Sequence, residues 1–344
     1  MTDAPNRLSL SADALVANWR ALDRLSGGAA CGAAVKADGY GLGARAVVPR
    51  LVAAGCRDLF VATWAEAAVV AGGGAAVSVL HGLRAGDLPL AGLPDTRPVL
   101  STPTQVARWR EAGGGRPCDV MVDTGMNRLG IAADDIAAGL LDGLTVATLM
   151  SHLACADEPG HAMNERQRTR FAALAGRVRA QRLSLANSAG IALGADYRFD
   201  LVRPGLALYG GVPSPALDDV IRPVATIEAE VLQRRIVRAG EAVGYNATWR
   251  APADTRVAIV NLGYADGYWR GFSDRGIAFA GDAPLRVIGR VSMDLVALDL
   301  GGADIGEGDW VRFDAQLPRA ATASGMSQYE LLTGLGGRFE RVWR

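Results

Sequence analysis

Lysine is nearly absent from this chain: of its 36 basic side chains all but one are arginine, and the exception is Lys36. Histidine is scarce too, with three residues, none at a metal-binding spacing from another, which argues against metal catalysis. The four cysteines, Cys31, Cys56, Cys118 and Cys155, form no close pair, so they read as small buried side chains and not as disulfides or a zinc site. No basic block exists and the formal net charge is zero, so nucleic acid is not an expected partner. No apolar run reaches the length of a membrane span. The first residues, MTDAPNRLSL, lack the basic and apolar regions of a signal peptide, so a cytoplasmic protein is expected.

The lone lysine has two explanations. Alanine, glycine and arginine are all abundant, as in a GC-rich coding sequence that replaces lysine wherever a surface cation suffices. A lysine that persists against that bias does something arginine cannot. Arginine keeps its proton, whereas lysine can become a neutral amine and form an imine with an aldehyde.

The chain has 344 residues, half of them apolar, enough for two domains or for one barrel with an appendage. Up to about residue 222, eight short apolar runs alternate with helical stretches. The runs are ACGAAV before Lys36, LFVAT (59–63), VSVLHG (77–82), RPVLST (97–102), CDVMVD (118–123), VATLMSHLA (146–154), RLSLANS (182–188) and LVRPGLALYG (201–210). The helical patterns are clearest at 103–113 and 162–180. This alternation predicts a parallel sheet covered on both faces, and eight units fit a (β/α)₈ TIM-type barrel; a doubly wound open sheet competes. After Pro223 helical periodicity vanishes and alternating runs with glycine-rich turns predict a mostly antiparallel β domain. The expected domains are therefore 1–222 and 223–344, with a first strand at about 7–10 that can pack with the β domain. Ser11 reads as the N-cap of the helix that follows, with Asp13 in its first turn.

In a barrel the C-terminal strand ends carry the chemistry. Those positions hold Lys36, Arg128, His152, Asn187 with Ser188, and Arg203. Taken singly, each has an ordinary explanation: a core histidine, a surface ion pair, a capped helix. The glycines at 39, 41 and 43 do not have the spacing of a nucleotide loop. Together the strand-end residues suit pyridoxal phosphate. Lys36 would hold the aldehyde. Ser188 and the backbone after Arg203 lie after strands seven and eight, where barrels bind phosphate. Arg203, a donor-only cation, would face the ring nitrogen.

At these positions the sequence resembles the bacterial alanine racemases, fold-type III pyridoxal phosphate enzymes, over nearly its whole length. AVKADGYGLG is similar to their lysine motif, which implies Lys36 as imine lysine and Tyr40 as a phosphate contact. MVDTGMNRLG implies Arg128 near the substrate carboxylate, and SHLACAD implies His152 beside the cofactor ring. ANSAG and RPGLALYG imply Ser188, Gly205 and Leu206 at the phosphate and Arg203 at the pyridine nitrogen. In the β domain, VGYNATW carries the implied second base, Tyr245. LGYADG and SMD carry Tyr264, Met293 and Asp294 at the substrate entrance, and SQYELL carries Tyr329 at the phosphate.

The resemblance implies interconversion of L- and D-alanine by two bases, Lys36 on one face of Cα and Tyr245 on the other. A tyrosine, with a pKa near 10, is a poor base without cationic neighbours, so a His152–Arg203 relay is expected. It also implies a head-to-tail homodimer in which Tyr245 of one subunit completes the site of the other. Many members have a carbamylated lysine where this chain has Met121. With that anion gone, Arg128 is expected in a partly dry pocket with a chloride ion, Asn127 or Asp123 as substitute partner. A serine racemase, a non-catalytic pyridoxal phosphate-binding protein and a decarboxylase are the alternatives. VGYNATW argues against the second, and an arginine at the ring nitrogen against the third.

Overall fold

A computed structural model describes residues 4–344. The described chain divides into two compact units: one of residues 15–208 and 213–221, the other of residues 4–14, 209–212 and 222–344.

The first unit is the eight-stranded barrel. After strand β1 (Asn6–Leu10), which belongs to the other unit, come β2 (Ala30–Cys31) and β3 (Ala33–Ala34). These are two halves of one strand interrupted at Gly32. The next six, β4 (Asp58–Val61), β5 (Ala76–Val79), β6 (Thr96–Leu100), β7 (Cys118–Met121), β8 (Val146–Met150) and β9 (Ala180–Ser184), pair in sequence order, all parallel. A short β10 (Leu201–Val202) pairs with β2. Backbone bonds from Gly32 N–H to Val202 O (3.0 Å) and from Arg203 N–H to Ala186 O (2.9 Å) join it to both neighbours and close the ring. All eight expected strands are present.

Side-chain direction follows from register, since paired residues share a face and alternate residues along a strand reverse it. Asp58 on β4 pairs across the ring with Arg182 on β9, so those positions point inward. The register then places Phe60, Ser78, Arg97, Asp119, Met121, Thr148, Met150 and Ser184 inside as well. Gly32 is required opposite them: a Cβ there would lie 2.8 Å from the Phe60 ring.

The outer helices start where local chemistry predicts. Ser11 Oγ accepts the Ala14 N–H (3.1 Å) at the head of the helix Ala12–Ser26. Thr63 and Glu66 form a reciprocal capping box on Trp64–Val70, so residues 62–63 leave the strand. The helix expected over 162–180 stops at Ala175, because Gly176 caps it and β9 begins at Ala180.

In the second unit the long strand β11 (Ala225–Val237) pairs with β1 at its start. It pairs farther on with β14 (Thr255–Val260), after the small hairpin of β12 (Ala242–Val243) and β13 (Trp249–Arg250). Strands β15 (Ile277–Ala280), β16 (Ala283–Ile288), β17 (Val296–Asp299) and β18 (Trp310–Phe313) complete an antiparallel circuit from β14 back to β11. The last strand, β19 (Glu340–Trp343), runs parallel to β1. Two helices accompany the mostly antiparallel strands, Leu317–Ser324 and Gln328–Thr333. The second opens on a Ser327–Glu330 capping box.

Candidate active site

Lys36 follows the last residue of the first barrel strand, where the Val35 N–H bonds to Phe60 O at 2.8 Å. Its amine is half-buried. Desolvation, and then the charges of Arg128 and Arg203 against that of Glu66, push its pKa below the usual lysine value. Immediately after it the backbone reverses hand. Ala37, Asp38, Gly39 and Tyr40 have φ of 52°, 52°, 63° and 54°. Left-handed backbone is unfavourable for residues with a Cβ, so the turn needs holding. Glu66 Oε1 accepts the Ala37 N–H, Asp38 Oδ1 accepts the Ala44 N–H (both 2.8 Å), and Gly41 N–H closes on Ala37 O at 2.8 Å.

Arg203 follows β10 and is 6% exposed. One terminal nitrogen donates to Ser184 Oγ and the other to Ser151 O (2.5 Å), while Ser184 donates onward to Leu201 O. These bonds fix the guanidinium and leave further N–H groups for a ligand. Burial lowers its pKa to about 10, partly offset by the Asp119 carboxylate, so it stays a cation at neutral pH. His152 lies at the end of β8. Burial and the charges of Arg203, Arg128 and Lys36 depress its pKa to about 3. It is therefore neutral, and the cationic half of the expected relay falls to Arg203 alone. Buried Gln167 stitches this rim together: its side chain donates to His152 O (2.8 Å) and Thr124 Oγ1 (3.2 Å) and accepts the Ala154 N–H (2.8 Å).

Arg128 departs from expectation. It is exposed in the protomer, not in a partly dry pocket, on a loop closed at its base by the backbone bridge between Val122 and Ile131. Asp123 is not its partner. The Asp123 carboxylate accepts the N–H groups of Gly125, Met126 and Asn127, which bend the loop. Among the described residues Arg128 has no ion pair.

Ser188, Gly205, Leu206 and Tyr40 come together. Ser188 Oγ accepts the N–H groups of Gly205 (2.9 Å) and Ala207 (3.3 Å), so its own hydroxyl proton is free to donate elsewhere. Leu206 opens a 3₁₀ turn, Leu206–Tyr209, whose first N–H groups have no partner within the turn. The Tyr40 hydroxyl lies against Gly205: a Cβ on Gly205 would sit 2.2 Å from Tyr40 Oη. This is a donor-lined cradle that an added methyl would fill, as a phosphate group requires. With Lys36 and Arg203 on the same rim, the residues fit pyridoxal phosphate.

The remaining candidates lie in the second unit. Tyr245 opens a 3₁₀ turn after left-handed Gly244 and is 65% exposed. Tyr264 and Met293 are neighbours: the N–H groups of Tyr264 and Ala265 bond to Ser292 O and Met293 O, each at 3.0 Å. Gly263 permits this, since a Cβ there would lie 2.1 Å from Met293 O. Arg338, which sequence reasoning missed, clamps both loops. It donates to Asp266 (2.7 and 2.9 Å) and Asp294 (2.7 Å). Tyr329 sits in the first turn of the helix Gln328–Thr333 and is 45% exposed.

Two family models cover the chain: the alanine racemase N-terminal domain matches residues 10–213 and the C-terminal domain residues 224–343. Alanine racemase of Acidiphilium cryptum is 42% identical over 349 residues, covering 97% of this chain and 98% of that protein. Alanine racemase of Dinoroseobacter shibae is 43% identical over 342 residues, covering 97% of each. The crystal structure of alanine racemase from Bartonella henselae with covalently bound pyridoxal phosphate is similar at a TM-score of 0.92 and 31% identity. It covers 99% of this chain and all of the other.

Proposed function

The chain belongs to the alanine racemase family, and from that premise we propose that Lys36 and Tyr245 are its two proton-transferring bases. It is an isomerase that interconverts L- and D-alanine with pyridoxal 5′-phosphate. One observation carries the residue assignment. A half-buried Lys36, its amine pushed toward neutrality, stands on the strand beside the one that presents Gly205 to Tyr40 and Ser188.

The cofactor, joined through its aldehyde to an amine, supplies the electron withdrawal that acidifies the substrate Cα–H. Lys36 holds the cofactor and carries a proton on one face of Cα. Ser188, Tyr40 and the N–H groups at Gly205 and Leu206 hold the phosphate, joined by Tyr329. Arg203 can only donate, so it keeps the ring nitrogen an unprotonated acceptor and weakens the ring as an electron sink. Rapid reprotonation is thereby favoured over side reactions. His152 lies beside the ring as a neutral imidazole. Arg128 takes the substrate carboxylate, and Tyr264 and Met293 narrow the entrance to small side chains.

Tyr245 serves the opposite face, from the partner subunit of a head-to-tail homodimer. Its 65% exposure in the protomer leaves the hydroxyl available to a second copy. A small anion, chloride, accompanies Arg128, whose carboxylate neighbour Asp123 is occupied by the turn. Among the described residues no helix is long and apolar enough to cross a membrane, in keeping with a cytoplasmic role in D-alanine supply for peptidoglycan or in alanine catabolism.

The test is complementation. Lys36→Ala and Tyr245→Ala subunits should each be inactive and regain activity when mixed. No rescue, with subunit exchange demonstrated, would mean that one chain supplies both bases.

A further inference from the structure

The barrel interior beneath Arg203 is polar where such barrels are ordinarily filled by branched apolar residues. Asp58, Ser78, Arg97, Asp119, Thr148 and Arg182 point into it by register, and Asp119 and Thr148 are 0% and 1% exposed. The charges there are unevenly matched. Asp58 is neutralised by both arms of Arg182, at 3.0 and 2.5 Å. Asp119 has only a 3.4 Å contact from Arg97 and a 2.6 Å hydrogen bond from Ser78, both to Oδ2.

Two oxygens in this layer have no hydrogen-bond partner among the described residues: Asp119 Oδ1 and Thr148 Oγ1. They belong to register partners on adjacent strands, so they sit side by side. Leaving a buried carboxylate oxygen unsatisfied is costly, and one water can satisfy both groups, donating to the carboxylate and accepting from the hydroxyl. Directly above, Arg203 is buried, and among the described residues its guanidinium bonds only to the neutral Ser184 Oγ and Ser151 O. The charged groups around it are cations at the rim, Lys36 and Arg128, with Glu66 beside Lys36 and His152 neutral. In the layer below, the one carboxylate not already neutralised by a two-armed pair is Asp119.

We propose that Asp119, completed by one ordered water shared with Thr148, is a positioning residue for the reaction. It holds the counter-charge that keeps Arg203 a buried donor cation at the ring nitrogen. The inference rests on the placement of Arg203 at the cofactor proposed above. Asp119 stands on β7, four strands round the ring from the strand that ends at Lys36, and touches neither substrate nor cofactor.

The experiment compares holoenzymes of the wild type, Asp119→Asn, Ser78→Ala and Thr148→Val. The readouts are the pH at which the visible band of bound cofactor titrates, thermal unfolding, and kcat against KM. Asp119→Asn removes one negative charge beneath the site, which disfavours protonation of the cofactor-bearing amine. Its midpoint should fall by about one pH unit or more, with kcat reduced at least tenfold and KM little changed. Ser78→Ala removes a hydrogen bond to the same carboxylate but no charge, and its midpoint should stay. Thr148→Val likewise removes no charge, so its midpoint should stay, and its crystal structure should lose a water peak that the wild type shows between the two oxygens. If Asp119→Asn does not fold, Arg97→Gln decides: it removes the cation paired with the same carboxylate and should raise the midpoint, and an unmoved midpoint there overturns the proposal. An unmoved midpoint with a lowered unfolding temperature, an equal shift in Ser78→Ala, or no water peak in the wild type overturns the proposal. A wild type that binds no pyridoxal phosphate refutes the functional reading itself, and this inference with it.

Discussion

Removing the Glu66 carboxylate should loosen the segment that follows Lys36. Three residues with a Cβ, Ala37, Asp38 and Tyr40, hold left-handed backbone there, at about 1–2 kcal/mol each, or about 3–6 kcal/mol together. Glu66 reaches from the helix Trp64–Val70 to accept the Ala37 N–H at 2.8 Å with one oxygen, and the Ala62 N–H at 2.6 Å with the other. A hydrogen bond to a charged group contributes about 1.5–3 kcal/mol. Glu66→Ala deletes that anchor and leaves the strain in place, so local opening should become easier by about 2 kcal/mol. At about 1.4 kcal/mol per factor of ten, amide hydrogen exchange over residues 36–44 should accelerate about 30-fold. Mass spectrometry of the peptides measures it directly, with peptides from β7 and β8 as unchanged controls. Because Glu66 is the anion that raises the Lys36 pKa, its loss should also lower that pKa further, and the amine should react faster with aldehydes at neutral pH. Exchange over 36–44 indistinguishable from wild type, in a folded protein, would refute the view that Glu66 holds the turn.

Two further outcomes follow from the same rim. His152 has a folded pKa near 3 against an ordinary 6.5, so between those values only the unfolded chain takes the proton. Its contribution to stability is full above pH 6.5 and is lost as the pH falls toward 3. Urea midpoints of the wild type should therefore drop more steeply on acidification than those of His152→Asn; parallel curves would contradict a buried neutral imidazole. Gly205→Ala places a methyl 2.2 Å from Tyr40 Oη and should weaken pyridoxal phosphate binding at least tenfold in equilibrium dialysis. Adding Tyr40→Phe should recover part of the loss, and no loss from Gly205→Ala would remove the cradle from the phosphate site.

The barrel was legible because its strands are short apolar runs at regular intervals, and the position of Lys36 at a strand end followed from that. The polar interior was not. Asp58, Arg97, Asp119 and Arg182 read as breaks in apolar strands, and what makes them compatible with a buried face is pairing across the ring, between residues as far apart as Asp58 and Arg182. The junction between β4 and the helix Trp64–Val70 could have been read: Thr63 and Glu66 have the spacing of a capping box, as do Ser327 and Glu330 in the β domain. Arg338 offered no such signal, since its two carboxylates, Asp266 and Asp294, are distant in sequence and meet it only in the folded sheet. The exposure of Arg128 was invisible for a similar reason. The bridge between Val122 and Ile131 that closes the base of its loop is a backbone contact with no side-chain pattern.

The left-handed turn after Lys36 has a stereochemical consequence. At φ and ψ near 52° and 48°, Ala37 occupies the mirror image of ordinary right-handed helical backbone, and Asp38 does the same. That conformation is the relaxed one for an amino acid of D configuration. Position 37 thus accommodates, without strain, the D enantiomer that is one of the two forms the enzyme interconverts. A semisynthetic chain with D-alanine at residue 37 should fold as the natural one does and hold its turn more tightly, by about 1–2 kcal/mol, whereas D-alanine at position 33 or 34, in extended β3, should gain nothing.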